Sequence, residues 1–127
     1  MAATVYSVGI YCRDQDAAKR FWTETMGFEL VRDEPMGPEG GPRWIEVRPP
    51  AQDVKLVLYT PDGQEDRIGT FSNVLFEVDD VNALYEELTG KGVVFAGPPE
   101  KAPWGRWWAQ FQDPDGNSYG LGADIVD

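Results

Sequence analysis

The sequence predicts an α+β fold built from two copies of one βαβββ module, and three observations lead there. Two stretches repeat a single plan: SVGIYCRDQDAAKRFW from Ser7 and NVLFEVDDVNALYEEL from Asn73 each give an alternating apolar run, an aspartate and a helical pattern. Ser7 aligns with Asn73, Asp14 with Asp80 and Ala17 with Ala83, at a constant offset of 66. A repeat of that size marks two copies of one supersecondary unit, which pack against each other. The third observation is the composition: 127 residues, 42% hydrophobic and 26% charged, suit one globular domain able to bury a core without staples. The predicted domain spans 1–127, with a module at 4–60, a linker at 61–70 and a second module at 71–122.

The elements follow in order. Val5–Cys12 alternates in hydrophobicity and reads as a strand. Asp14 or Asp16 caps a helix carrying Ala17, Ala18, Phe21, Trp22 and Thr25, and Gly27 ends it. Phe28–Arg32 is the next strand, and DEPMGPEGGP (33–42) reads as a loop from its glycines and prolines. Arg43–Arg48 and Lys55–Tyr59 are strands joined by a turn at Pro49–Asp53, and PDGQEDRIG links the modules. The second module repeats the plan: strand Asn73–Val78, helix Asp80–Thr89, a stop at Gly90 and Gly92, and strand Val93–Ala96. The Pro-rich loop GPPEKAPWG (97–105) then leads to strand Arg106–Gln112, the turn DPDG (113–116) and strand Asn117–Gly122.

Alternation sorts the strand residues onto two faces. Val8, Ile10, Cys12, Ile45, Val47, Leu56, Leu58, Val74, Phe76, Val78, Trp107, Ala109 and Phe111 form an apolar face that belongs under the helices. The opposite face mixes aromatic, small and polar residues, among them Tyr11, Trp44, Glu46, Tyr59, Asn73, Glu77, Trp108 and Gln110. Large aromatics interleaved with small residues suit a concave ligand surface. Trp107 and Trp22 read as core fillers on the helix side.

Eleven basic against 22 acidic residues give a net charge of −11, which disfavours nucleic-acid phosphates and anionic membranes and attracts cations. Cys12 is the only cysteine, so no disulfide forms within the chain, and its place in an apolar alternation reads as a small buried hydrophobe. The N-terminal sequence lacks a signal-peptide pattern and no apolar run approaches a membrane span, so the expected location is the cytoplasm. No histidine occurs anywhere in the chain, which removes the commonest acid/base catalyst and metal ligand together.

The paired modules, AAKRFWTETMGFEL after the first strand, FEVDDVNALYEEL after the fifth, and DPDGN before the last together resemble the vicinal-oxygen-chelate superfamily, over about residues 4–122. That group includes glyoxalase I, extradiol dioxygenases, and fosfomycin- and bleomycin-resistance proteins. The resemblance implies a mixed sheet curled around a cavity, often within a homodimer. Its metal enzymes carry a His or Glu opening the first strand, a His in the fifth, a Glu in the last and sometimes a Glu in the fourth. Carried over, these positions are Ser7, Asn73, Gly120 and Val57, and none is a ligand suited to a transition metal. The neighbours Val8, Val74 and Tyr119 supply no replacement.

The chain therefore resembles the metal-free bleomycin-resistance branch, and the expectation is a protein without metal or other cofactor that sequesters a small aromatic or cationic compound. The expected ligand contacts are Tyr11, Trp44, Glu46, Tyr59, Asn73, Glu77, Trp104, Trp108 and Gln110. No catalytic residue is assigned. The alternative is a metal-independent lyase or isomerase using Glu46 or Glu77 as base, with Tyr11, Tyr59 or Lys55 as acid or oxyanion partner.

Overall fold

A computed structural model describes residues 3–125. The chain divides into two compact units at Ile68/Gly69, inside the expected linker. The first unit contains β1 (Ser7–Tyr11), α1 (Gln15–Arg20), β2 (Glu29–Pro35), β3 (Arg43–Arg48) and β4 (Lys55–Tyr59). The second contains β5 (Phe71–Glu77), α2 (Val81–Gly90), β6 (Val94–Phe95), β7 (Glu100–Lys101), β8 (Arg106–Gln112) and β9 (Ser118–Asp124).

Each unit forms one mixed sheet with the same strand order. The first runs β1-β4-β3-β2 and the second β5-β9-β8-β6, with β7 also on β8. In both, the opening strand pairs parallel to the last strand and the remaining pairs are antiparallel. The helix of each unit packs on its last two strands, α1 on β3 and β4, α2 on β8 and β9. The sequence repeat is thus a repeat of topology.

The helices start where their aspartates dictate. The Asp14 carboxylate accepts from the backbone N–H groups of Asp16 and Ala17, and Asp80 accepts from that of Ala83, so orphan first-turn donors are satisfied. After Arg20 the first helix widens into a π-helical turn over Phe21–Thr25, where the Met26 N–H reaches back five residues to the Phe21 carbonyl. Phe21 and Trp22 are adjacent in sequence, and both are buried. The apolar face of the first sheet is buried as expected at Ile10, Cys12, Ile45, Val47, Leu56 and Leu58. Trp22 is fully buried, but Trp107 is only half-buried, with the Lys101 ammonium 5.5 Å from its ring centre.

Several boundaries differ from the sequence expectation. Residues 33–35, read as loop, continue β2, because Asp33 is held by Lys19 and Arg43 at 2.8 and 2.9 Å and the backbone stays in register with β3. The Pro-rich loop contains the short strand β7, and β9 extends past Gly122 to Asp124. Asn73 does not sit in a regular strand: its φ is +64° and the β5–β9 register shifts between Phe71 and Leu75. Asparagine tolerates that left-handed geometry better than most residues.

The DPDGN turn is a structural device. Asp113, only 8% exposed, accepts from the backbone N–H groups of Asp115 and Asn117, from the Asn117 side-chain amide and, at 2.5 Å, from the Tyr119 hydroxyl. Gly116 takes φ +84°, which a side chain would resist. Burial pushes the Asp113 carboxyl up from its ordinary value, and burial together with the Asp113 charge pushes the Tyr119 phenol well above its own.

Candidate functional site

Strand register places the polar and aromatic residues of each unit on the face away from its helix. In the first unit Gly9 lies opposite Val57, and Val57 opposite Glu46. In the second, Leu75 lies opposite Gly120, and Gly120 opposite Gln110. Val57 and Gly120 are therefore equivalent, as are Glu46 and Gln110. Two residues before each stands a tryptophan, Trp44 or Trp108. Trp44 faces Glu34 across the sheet, and Trp108 faces Glu100. Glu34 and Glu100 are themselves 66 residues apart, the offset seen in the helices.

The two copies use this set differently. In the first unit the Trp44 indole N–H donates to Glu46 Oε2 at 2.7 Å, and the Tyr6 hydroxyl lies 3.2 Å from both oxygens of the same carboxylate. Glu46 is 2% exposed, and Arg32 Nε stands 4.0 Å away. The carboxylate is thus engaged by neutral donors and a nearby guanidinium, which a buried charge requires. The nearby basic residues Arg48 of β3 and Lys55 of β4 are engaged elsewhere: Arg48 pairs with Glu29 and Asp53, and the Lys55 ammonium lies 4.5 Å from the Tyr6 ring centre.

Tyr11 and Tyr59 are brought together at the end of β1 and β4. Their rings meet edge to face with centres 4.9 Å apart, and the Tyr11 hydroxyl donates to Gln64 Oε1 at 3.3 Å. The Tyr59 ring lies beside Gly9, where a Cβ would come within 3.0 Å of Cε1. A hydrogen bond from Tyr59, helped by Arg67, lowers the Tyr11 phenol below its ordinary value, and burial pushes Tyr59 up to about 12.

In the second unit the Trp108 ring lies on Gly120. A Cβ there would come within 2.6 Å of Cη2 and 2.8 Å of Cζ3, and within 3.0 Å of Leu75 Cδ1. Arg106 lies beside Gly122 in the same way and forms hydrogen-bonded ion pairs with Glu77 and, at 2.7 Å, with Asp124. Glu77 is therefore an ion-pair partner of Arg106. Trp108 and Gln110 sit on one strand face and line a small pocket of about 140 Å³ together with Glu100. Trp104 is 69% exposed in the turn between β7 and β8, and Asn73 sits at the break in β5.

The residue profile of the Glyoxalase/Bleomycin resistance protein/Dioxygenase superfamily matches residues 4–120. The chain belongs to this superfamily. The Bacillus subtilis protein YetH, itself uncharacterized, is 37% identical over 119 residues, covering 94% of this chain and 97% of YetH. A superfamily member from Sphaerobacter thermophilus superposes with a TM-score of 0.88 at 34% identity, covering 97% of this chain and 98% of its own. TnmS3, an antibiotic binding protein from Streptomyces sp. CB03234, superposes with a TM-score of 0.82 at 36% identity over 98% of each chain.

At the positions that the resemblance assigns to metal ligands, Ser7, Val57, Asn73 and Gly120, no side chain suits a transition metal. Val57 is buried and apolar, Asn73 sits in a left-handed turn, and the space a longer side chain would need at Gly120 is taken by the Trp108 ring. Among the described residues no three His, Cys, Asp or Glu side chains gather in a way that could hold a metal ion. No helix among them is long and apolar enough to cross a membrane.

Sequence reasoning missed Tyr6, Arg32, Glu100 and Arg106. Alternation over Val5–Cys12 sets Tyr6 with Val8 and Ile10, but β1 begins only at Ser7, and a bulge before Arg32 resets the face that its run assigns. Glu100 had a usable signal, because the offset of 66 relates it to Glu34.

Proposed function

We propose that this superfamily member is a metal-independent small-molecule-binding protein of the bleomycin-resistance type, sequestering an aromatic or cationic compound such as an antibiotic. The observation that carries the reading is the Trp108 indole lying on Gly120: a position where enzymes of the superfamily carry a metal-binding carboxylate is covered here by an aromatic plate. Flat aromatic surface beside polar groups is the usual make-up of a pocket for planar ligands, and stacking contributes about 0.5–1.5 kcal/mol per ring pair. The likeness to TnmS3 over nearly the whole of both chains supports an antibiotic as ligand. The net charge of −11 favours a cation. In this reading Trp108 and Gln110, with the exposed Trp104 in the turn before their strand, contact the ligand on the second unit. The protein acts as a cytoplasmic homodimer.

Titration of tryptophan fluorescence against a panel of planar cationic antibiotics, with and without a chelator, tests this. Saturable quenching by at least one compound is expected, unchanged by the chelator and weakened about tenfold or more by Trp108→Ala. Binding that requires a divalent cation, or a Trp108→Ala variant that binds as well as the parent, would overturn it.

A further inference from the structure

The pocket beside Trp108 owes its existence to an interruption found only in the second unit. In the first, β2 runs along β3 with a single irregularity between Leu30 and Arg32. In the second, the corresponding strand pairs at Phe95–Phe111, leaves β8 and returns only at Glu100–Trp108. The segment between contains Pro98 and Pro99, which have no N–H to give to the ladder. The gap forms the pocket of about 140 Å³, bounded by Gly97 and Pro98 on one side and by Trp108 and Gln110 on the other, with Glu100 at its edge. Drug-sized ligands fill pockets of ~300–1,000 Å³, so this volume suits one functional group of such a ligand.

Three residues that line this space, Trp108, Gln110 and Glu100, carry polar side-chain groups without hydrogen-bond partners among the described residues. The amide both donates and accepts, and the indole offers a donor N–H and a π face, so the carboxylate decides the sign of charge. Glu100 and Trp108 are direct cross-strand partners, and such neighbours share a face. Lys101, the nearest cation in sequence, points to the other face and lies over Trp107. An aromatic face with an adjacent unpaired carboxylate is the chemistry that recognises a protonated amine.

We propose that the Trp108–Gln110–Glu100 pocket is an ammonium subsite and that Glu100 selects cationic over neutral ligands. This rests on the small-molecule-binding reading above and deepens it. Glu46 and Glu77, the other carboxylates among the expected ligand contacts, already have partners in Trp44, Tyr6 and Arg106.

The test compares two isosteric probes, 2-naphthylmethylammonium and 2-naphthylmethanol, by calorimetry on the full chain. The parent is expected to bind both and to prefer the ammonium, with the preference shrinking at high ionic strength. Glu100→Gln should weaken the ammonium about three- to tenfold and leave the alcohol unchanged, as for loss of one partly exposed charge contact. Glu34→Gln, the equivalent change in the first unit, should alter neither. If the parent binds both probes and Glu100→Gln leaves their ratio unchanged, the ammonium subsite is wrong while the binding reading stands. If the parent binds neither probe, both fail.

Discussion

The two units have one topology and one placement of tryptophan and glutamate, yet the first satisfies its polar groups internally and the second leaves them open. Trp44 gives its indole N–H to Glu46, and Tyr6 shares the same carboxylate. At the equivalent places the second unit has Trp108, Gln110 and Ser72. There the shorter Ser72 bonds to the Ser118 carbonyl, and Trp108 and Gln110 keep their polar atoms for something else. In this duplicated fold one copy ties the set together internally, and the other leaves it without internal partners among the described residues. The connection between third and fourth strands shows the reverse bias. In the second unit it is a buried network around Asp113, whereas in the first Asp53 makes only a 3.4 Å contact to Arg48 from a side chain that is 96% exposed.

That contrast gives the largest expected effect on stability. Asp113→Ala removes the acceptor for the fully buried Tyr119 hydroxyl and for the Asn117 amide, and should cost about 3 kcal/mol. Asp53→Ala breaks one exposed ion pair and should cost less than about 0.5 kcal/mol. Urea denaturation of both variants measures the difference. Similar losses would mean that the two turns bear equal load and that the contrast drawn from their hydrogen bonding is wrong.

The same asymmetry explains what could be read from the sequence. The strands, the helices and the equivalence of Ser7 with Asn73 were legible because period-2 alternation, aspartate caps and a fixed offset are local or repeating signals. The burial of Glu46 was not legible. It depends on a hydroxyl from Tyr6, 40 positions away and ahead of the regular strand β1, and on a rotamer of Trp44. Glu77 looked equally available for a ligand, but Arg106 opens β8 29 positions later and claims it. Sequence alternation assigns a residue to a face, whereas its hydrogen-bond partner on that face is fixed by side-chain geometry. β7 was hidden because Pro98, Pro99 and Pro103 dominate its surroundings while only Glu100 and Lys101 join the ladder.

A smaller effect probes the glycines under the aromatic rings. Gly120→Ala drives a Cβ to 2.6 Å from the Trp108 ring, closer than side chains approach, with Leu75 blocking the other side. The ring must move, at a cost of about 1–2 kcal/mol. Gly9→Ala meets the Tyr59 ring edge at 3.0 Å, which a shift of a few tenths of an ångström relieves. The reduced backbone entropy of alanine offsets part of that, so a change within about 0.5 kcal/mol of zero is expected. In a Trp108→Ala background the Gly120→Ala cost should largely vanish, because the two changes are coupled through one contact. Persistence of the full cost there would place the strain in the backbone instead of under the ring.

The smallest effect separates the units by the sign of their response to acid. In the first unit Asp16 is held below its ordinary 3.8 chiefly by its hydrogen bond to Arg43, and Asp33 chiefly by that to Lys19, with Arg43 adding to it. A carboxyl lowered on folding stabilises the fold fully above its unfolded pKa and loses that contribution as pH falls through the lower folded value. Asp113 is raised by burial, so its contribution is present below 3.8 and is lost as pH rises through the folded value. Amide exchange followed downward from about pH 6 should therefore show the turn at 113–119 gaining protection before the α1 amides lose theirs, the latter only below about pH 4. Arg43→Met should remove the Asp16 share of the acid loss in α1, keep the share that Asp33 holds through Lys19, and leave the gain at 113–119 untouched. A common direction in both segments would contradict the assignment of opposite electrostatic roles to the paired units.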